Sequence, residues 1–393
     1  MLRLKTIRGF VSFERNLLIL GSTNAAMSVF WNSWYPFVPL YLSYMGASPT
    51  IVGLIFSIIA LASSFAYYVG GYMADRFGRK VPIVVGGGTG CICLLAAMLT
   101  SDWAAVGLLL VLATSLFSLQ TTTPSLMIVE SVDEKERGKA LGNWEFYNKL
   151  GPVIGPMLAS AVSPVHQLKS LLFLSLVAIA AGTAIRAVGL VETFGRGPFE
   201  TEGEQASIRD RLRGSLLIFL ASCIIFSLSG GLVWPFVSIF ASEFLRMSTA
   251  ELGMMFSLNN FAILASGMPA GKAVDKFGPK KVLILGYFLA CATNIPWIYS
   301  PSPSFAILFS TVSNVFLEFG GVAYQMTIVK MTRQETRGRI MGGFDAMYVM
   351  TYSAGSAIGG LIWERASPRF LFWVSALLAI PMGLMMAFMH VDS

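Results

Sequence analysis

The sequence predicts an all-α integral membrane protein whose twelve transmembrane helices form two pseudo-symmetric six-helix bundles. Three observations lead there: few charges, long stretches with none, and a pattern that repeats after 200 residues. Of 393 residues, 28 are Lys or Arg and 21 are Asp or Glu, so 12% are charged while 55% are hydrophobic. A soluble domain carries roughly 25% charged residues to cover its exterior. This chain cannot, and a bilayer is the solvent that suits it.

A helix needs about 20 mostly apolar residues to cross the hydrocarbon. No Asp, Glu, Lys or Arg occurs over 16–74, 81–101, 103–129, 214–242 or 282–317. The first stretch holds two spans, 16–45 and 50–73, parted by the turn sequence Gly46-Ala47-Ser48-Pro49. The next two hold spans 81–100 and 103–130, and spans 139–163 and 168–190 complete the first six. The second six begin with 214–243 and 249–271. Spans 281–300 and 304–331 follow, parted by Ser300-Pro301-Ser302-Pro303-Ser304, and 339–363 and 369–390 close the set. The apolar runs are continuous and lack two-residue alternation, which favours helices over barrel strands.

Basic residues fix the expected orientation. With the N-terminus in the cytoplasm, 22 of the 28 Lys and Arg lie inside; Lys169, Arg246, Arg365 and Arg369 lie outside, and Lys149 and Arg186 lie within spans. The expectation is a multi-pass protein of the cell membrane with both termini cytoplasmic. The net charge of +7 is then an orientation signal, with the lipid bilayer as partner and no nucleic acid, because the basic residues sit in short loops between spans. The first apolar run is too long for a cleavable signal. Cys91, Cys93, Cys223 and Cys291 all fall inside spans without disulfide or metal spacing and read as packing residues.

The repeat organises the rest. Gly71-x-x-x-Asp75-Arg76-Phe77-Gly78-Arg79-Lys80 returns as Gly271-x-x-x-Asp275-Lys276-Phe277-Gly278-Pro279-Lys280, an offset of 275 − 75 = 200. Arg137-Gly138-Lys139 matches Arg337-Gly338-Arg339, Gly142 matches Gly342, and Glu145 matches Asp345. Trp34-Tyr35-Pro36-Phe37-Val38 matches Val233-Trp234-Pro235-Phe236-Val237 at offset 199. The predicted domains are therefore 1–191, a polar linker 192–213, and 214–393. Parallel six-span repeats are an arrangement of transporters that rock one half against the other.

With those residues the chain resembles the major facilitator superfamily: the decapeptide at Gly71 to Lys80 is similar to its signature loop, and the copy at Gly271 to Lys280 stands where the family repeats it. The resemblance covers essentially the whole chain. It implies twelve helices, cytoplasmic termini and alternating access. It also implies a cytoplasmic gate of Gly71, Asp75, Arg76, Gly78, Arg79, Lys80 and Glu130, with Asp275 and Gly278 as the weaker second copy. In that copy Pro279 replaces the arginine and Lys330 the acid. Gly71 and Gly78 are read as sites of close approach and a tight turn, and Asp75 as a partner for Arg79. Span 5, with Gly142, Gly151, Gly155 and Pro156, looks like the antiporter motif of drug-exporting members; generic small-residue packing is the alternative. Such exporters carry an arginine in span 4 three residues before a Gln-Gly pair. Here Gln120 is present, but Phe117 and Thr121 stand at the arginine and glycine positions.

Ionisable groups inside spans are costly and are functional candidates by default. Glu318 lies mid-span and is expected to be the principal proton-coupling or cation-binding carboxylate, the alternative being a structural carboxylate satisfied by neighbours such as Asn314. Glu145 and Lys149 are four apart, on one helix face, and are expected to pair, either to bind an anionic group or as a static bridge. Asp345 is the repeat-mate of Glu145. Arg186 is expected to snorkel to the headgroups. Asn24, Asn32, Gln120, Asn148, Asn259, Asn260, Tyr348 and Tyr352 complete an expected polar cavity. Trp34 and Trp234, with Trp31, Phe37 and Phe236, are expected either to contact a flat amphiphile or to pack.

Enzymatic constellations are not evident. The two histidines, His166 and His390, are far apart in sequence, and Gly267-Met-Pro-Ala-Gly271-Lys272-Ala273 departs from a P-loop in spacing and in its last residue. The expectation is a secondary active transporter, not an enzyme, without cofactor or metal. It is expected to exchange protons for small amphiphilic compounds as a functional monomer. The alternatives are proton-coupled uptake of a polar solute, flipping of a lipid-linked solute, or a transport-dead sensor or scaffold.

Overall fold

The structure, a computed structural model, describes residues 2–132, 136–161, 168–194, 214–332 and 334–389, with backbone alone for 2–14 and 334–339. Most of the predicted linker, the side chains of Arg337 and Arg339, His166 and His390 lie outside the described residues. Helices occur at all twelve predicted spans, several of them bent or broken.

Span 1 is α1 (Leu2–Trp34) and α2 (Val38–Tyr44), joined by a 3-10 turn over Tyr35–Phe37. Span 7 is its counterpart, α9 (Ser215–Val233) and α10 (Val237–Glu243) joined by a 3-10 turn over Trp234–Phe236. Pro36 and Pro235 sit in those turns and supply no N–H to an α-helical ladder, so both copies bend at the same register. Spans 2 and 3 are α3 (Pro49–Phe77) and α4 (Lys80–Leu99). Span 4 breaks into α5 (Trp103–Ser118) and α6 (Thr123–Ser131); Asp102 caps its start by accepting from Ala105 N–H at 2.9 Å. Spans 5 and 6 are α7 (Arg137–Ser160) and α8 (Leu168–Gly189). The second set continues with α11 (Thr249–Phe277), α12 (Pro279–Ile298), α13 (Pro303–Met331) and α14 (Gln334–Arg365). It ends with α15 (Pro368–Leu377) and α16 (Ala379–Ala387). Ser248 and Glu251 form a reciprocal capping box at the start of α11.

Counting broken pairs as one, eight helices among the described residues are long and apolar enough to cross a membrane by length and composition. The other four predicted spans, at α1, α7, α11 and α14, are helical and carry more polar and small residues.

The chain divides into two compact units. The first comprises Met1–Ala47 and Leu61–Glu200, and the second Ser48–Ala60 and Thr201–Ser393, so the opening turns of α3 count with the second unit. There, Ser57 and Ser353 hydroxyls lie 2.7 Å apart. In the first unit α1 packs against both α7 and α8, over a core that includes Leu20, Ile83, Met127 and Trp144. The core of the second unit includes Phe219, Leu283, Tyr287, Phe344 and Met382.

Candidate functional site

The turn between α3 and α4 carries the first motif. Gly78 has φ +97°, a conformation L side chains rarely adopt. The turn brings Arg79 onto two carboxylates. Its Nη1 lies 2.6 Å from Asp75 Oδ1, and its Nη2 and Nε donate to Glu130 Oε1 at 2.7 and 2.9 Å. Glu130 keeps only 2% of its side chain exposed against 75% for Asp75. Its other oxygen accepts from the Thr193 hydroxyl at 2.6 Å. Hydrogen bonding to Glu130 holds the Arg79 guanidinium above its ordinary pKa, against the opposing effect of burial. Arg76 lies apart from this pair, donating to Tyr72 Oη at 2.6 Å. Gly71, expected to mark a close helix approach, has open space where a Cβ would stand; its neighbour Gly70 is the residue pressed against Leu119.

Glu192 belongs to the same cluster. Its carboxylate accepts from the backbone N–H groups of Arg79 (2.9 Å), Lys80 (3.0 Å), Thr193 (3.0 Å) and Phe194 (3.0 Å), so it satisfies the start of α4. Burial pushes the Glu192 pKa up, but the four amide donors outweigh it and hold it below the ordinary carboxylate value. A carboxylate whose folded pKa is depressed stabilises the fold above its unfolded pKa and loses that contribution as pH falls through the folded value. We expect Glu192→Gln to lower the melting temperature at pH 7 and the difference from wild type to shrink as pH falls below 4, read by thermal denaturation in detergent. An unchanging gap across that window contradicts the assignment.

The second copy keeps part of this plan. Gly278 has φ +81°, and Lys280 donates to the carbonyls of Ala387 and Met389 at 2.8 and 2.6 Å, as Lys80 donates to Leu190 at 3.3 Å. Each motif lysine thus holds carbonyls at or just beyond the end of the last helix of its own unit. Asp275 is exposed, whereas Glu130 of the first copy is enclosed around its pair with Arg79.

A second polar centre lies inside the first unit. Arg186, on α8, is 2% exposed, so the expectation that it snorkels outward is corrected. Its Nε donates to Thr23 Oγ1 at 2.8 Å, Nη1 to Gln120 Oε1 at 3.1 Å and Nη2 to Asn24 Oδ1 at 3.4 Å. The α5–α6 break leaves Gln120 outside regular helix and in reach of the guanidinium. Asn24 Nδ2 donates to Asn148 Oδ1 at 2.6 Å, and Asn148 Nδ2 to Glu145 at 3.4 Å. The expected Glu145–Lys149 ion pair is absent among the described residues. Both side chains are exposed on the protein surface, where sharing a face does not draw them together, and Asn148 engages the carboxylate instead.

In the second unit a cavity of about 330 Å³ is lined by Glu318, Asp345, Tyr324, Tyr348 and Gln325, with Cys223, Phe226 and Tyr287. Leu317, Glu318, Gly321, Tyr324 and Gln325 follow the three-, four- and seven-residue spacing of one helix face. Asp345 and Tyr348 are likewise three apart on α14. Phe226 stacks on Tyr287 with centroids 4.3 Å apart. Two carboxylates among aromatic rings can hold protons, or a cation with an apolar body.

Other predicted residues fall elsewhere. Trp34 is 3% exposed, and Phe37 and Phe236 are fully buried, so these three are part of the packed interior. Trp234 is exposed. Asn259 is buried, donating to Ser310 Oγ at 2.7 Å and accepting from Thr311 at 3.2 Å, and so ties α11 to α13. Asn32, Asn260 and Asn314 donate to carbonyls four residues back on their own helices. In span 5, Gly151 faces Ser28, Gly155 faces Val29 and Asn32, and Pro156 is buried beside them, whereas Gly142 faces open space.

Sequence reasoning missed Tyr287, Tyr324 and Gln325 in the cavity, and Glu192 and Thr193 in the turn cluster. Helical spacing from Glu318 was a signal for Tyr324 and Gln325; nothing local marks Glu192, which is 113 residues from Arg79.

A family model described as Major Facilitator Superfamily matches residues 20–230 and again 219–393, one match to each half of the duplication. Multidrug resistance protein MdtG of Yersinia enterocolitica is 24% identical over 389 residues, covering 94% of this chain and 92% of that protein. An uncharacterized MFS-type transporter of Methanocaldococcus jannaschii is 23% identical over 392 residues, covering 95% of each. A crystal structure of a variant of the nucleoside transporter NupG superposes with a TM-score of 0.82 at 13% identity, covering 95% of this chain and 99% of that one. Duplicated six-span architecture, paired motif turns and both family matches agree: the chain is a multi-pass membrane transporter that belongs to the major facilitator superfamily.

Proposed function

We propose that this chain is a secondary active transporter of the cell membrane that exports small amphiphilic compounds in exchange for protons, working as a monomer with both termini cytoplasmic. The observation that carries the reading is the second-unit cavity, where Glu318 and Asp345 share a wall with three tyrosines and a phenylalanine. A carboxylate within a membrane-spanning helix is expensive to keep charged and so suits reversible protonation. The tyrosine and phenylalanine rings suit an apolar substrate body. Likeness to the MdtG proteins, named for multidrug resistance, supports the export direction. The Asp75, Arg79 and Glu130 cluster serves as a cytoplasmic latch, and the glycines of α7 as the antiporter-type packing face.

The decisive experiment is reconstitution into liposomes with an imposed pH gradient and a panel of amphiphilic dyes. Wild type is expected to move dye against its gradient when driven by protons. Glu318→Gln, which keeps the shape and removes the titration, is expected to lose at least tenfold of the gradient-driven rate while retaining dye counterflow. Undiminished pH-driven transport by that variant ends the proposal.

A further inference from the structure

Arg186 is a buried cation whose three hydrogen-bond partners are all neutral. Thr23, Gln120 and Asn24 accept from it, no ion pair involves it among the described residues, and the Asn24 contact at 3.4 Å is at the limit of a hydrogen bond. The nearest carboxylate along the network, Glu145, is two asparagines away. A guanidinium has five N–H donors, and three are used. A buried charge without an opposite charge is costly unless something supplies one.

The surroundings indicate what that is. Asn24 and Gln120 are half-buried, forming the open side of the cage. Two turns beyond Asn24 on α1, roughly 10 Å along the helix, stands the half-buried Trp31. It stacks on Tyr35 with centroids 5.1 Å apart and meets Phe117 edge-on at 5.4 Å. Phe117 precedes Gln120 by three residues, within one turn along span 4. A fork of charged donors with an aromatic platform about two turns away matches a small aromatic anion: the carboxylate takes the fork and the ring lies against the platform.

We propose that Arg186, Thr23, Asn24 and Gln120 form an anion-binding subsite of the first unit, which takes the carboxylate of an aromatic organic acid in place of the amide oxygens of Gln120 and Asn24. This goes beyond export of amphiphiles by naming a chemical class, and it rests only on the chain being a transporter. The sequence marks the substitution of parts: span 4 has Phe117 where an arginine was expected, and α8 delivers a guanidinium to Gln120 from the side.

The test is binding by the purified full-length chain in detergent at pH 7 without any gradient, so it is independent of proton coupling at Glu318. The ligands are 2-naphthoate and its uncharged isostere 2-naphthamide, followed by calorimetry and thermal shift. Wild type is expected to bind the anion at least tenfold more tightly than the amide. Arg186→Gln should abolish that preference, and Arg186→Lys should keep part of it. Gln120→Glu installs a carboxylate beside Arg186 and should displace naphthoate, weakening it at least tenfold, without lowering the melting temperature. Equal affinity of wild type for anion and amide overturns the proposal, as does unchanged naphthoate binding in Arg186→Gln or Gln120→Glu. Should Arg186→Gln fail to fold, the wild-type comparison and Gln120→Glu still decide.

Discussion

Arg79→Ala is expected to cost the first unit about 3–5 kcal/mol, the range for breaking a buried ion pair by removing one partner. The reason lies with Glu130. Its side chain is 2% exposed and takes two donors from Arg79 at 2.7 and 2.9 Å. After the substitution one oxygen keeps the Thr193 hydroxyl and the other is left charged, enclosed and without its cation. Asp75 makes an equally short contact with Arg79, 2.6 Å, but is 75% exposed, and water can replace what it loses. Asp75→Ala should therefore cost no more than about 1 kcal/mol, as exposed pairs do. The two partners of one ion pair within the motif, Arg79 and Asp75, should therefore differ severalfold.

The melting temperature in detergent reads this difference, and the double variant Arg79→Ala/Glu130→Ala checks its cause. If the loss comes from a stranded carboxylate, removing the carboxylate as well should recover part of it, a non-additivity expected for groups in direct contact. A double variant as unstable as the sum of the singles would place the effect in the packing of the turn. Arg79→Lys should fall between, since an ammonium keeps the charge but loses the planar fork that serves two acids at once.

The contrast between Arg79 and Arg186 shows what a sequence can reveal here. The charge-free runs, the 200-residue repeat and the prolines at Pro36 and Pro235 are local signals, and the helices, the duplicated motif turns and the paired kinks follow them. Glu318 and Asp345 were legible because a carboxylate in an apolar run is anomalous wherever the helix points, and both line one cavity. Arg186 was equally visible as a charge but not as a site: its partners lie 163, 66 and 162 residues away, and its burial depends on the break at Gln120. Glu145 and Lys149 show the opposite error. Spacing of four residues places two side chains on one face without fixing their rotamers, and Asn148 takes up the carboxylate.

The glycines of α7 look alike in sequence and should behave in opposite ways. Gly151 lies so close to α1 that an added Cβ would stand 2.5 Å from Ser28 Cβ and 2.6 Å from its carbonyl carbon, and at Gly155 it would stand 2.5 Å from the Val29 carbonyl oxygen. Those neighbours are backbone or fixed to it, so the helices must separate; we expect Gly151→Ala and Gly155→Ala to cost about 1–3 kcal/mol or more and to lower transport. Gly182 on α8 also faces α1, but the atom it would meet at 2.5 Å is the Met27 sulfur, at the end of a flexible chain that can swing aside. Gly182→Ala should fall within about 1 kcal/mol of wild type. Gly142 faces open space, so there alanine removes only the conformational freedom of glycine, and the substitution should stabilise the helix by about 0.5–1 kcal/mol. Melting temperatures of the four alanine variants, measured side by side, should rank Gly142→Ala above wild type, Gly182→Ala near it, and Gly151→Ala and Gly155→Ala well below. If Gly142→Ala fell with the last two, the spacing of glycines along α7 would matter for something other than the approach of α1, and the packing account of this motif would fail.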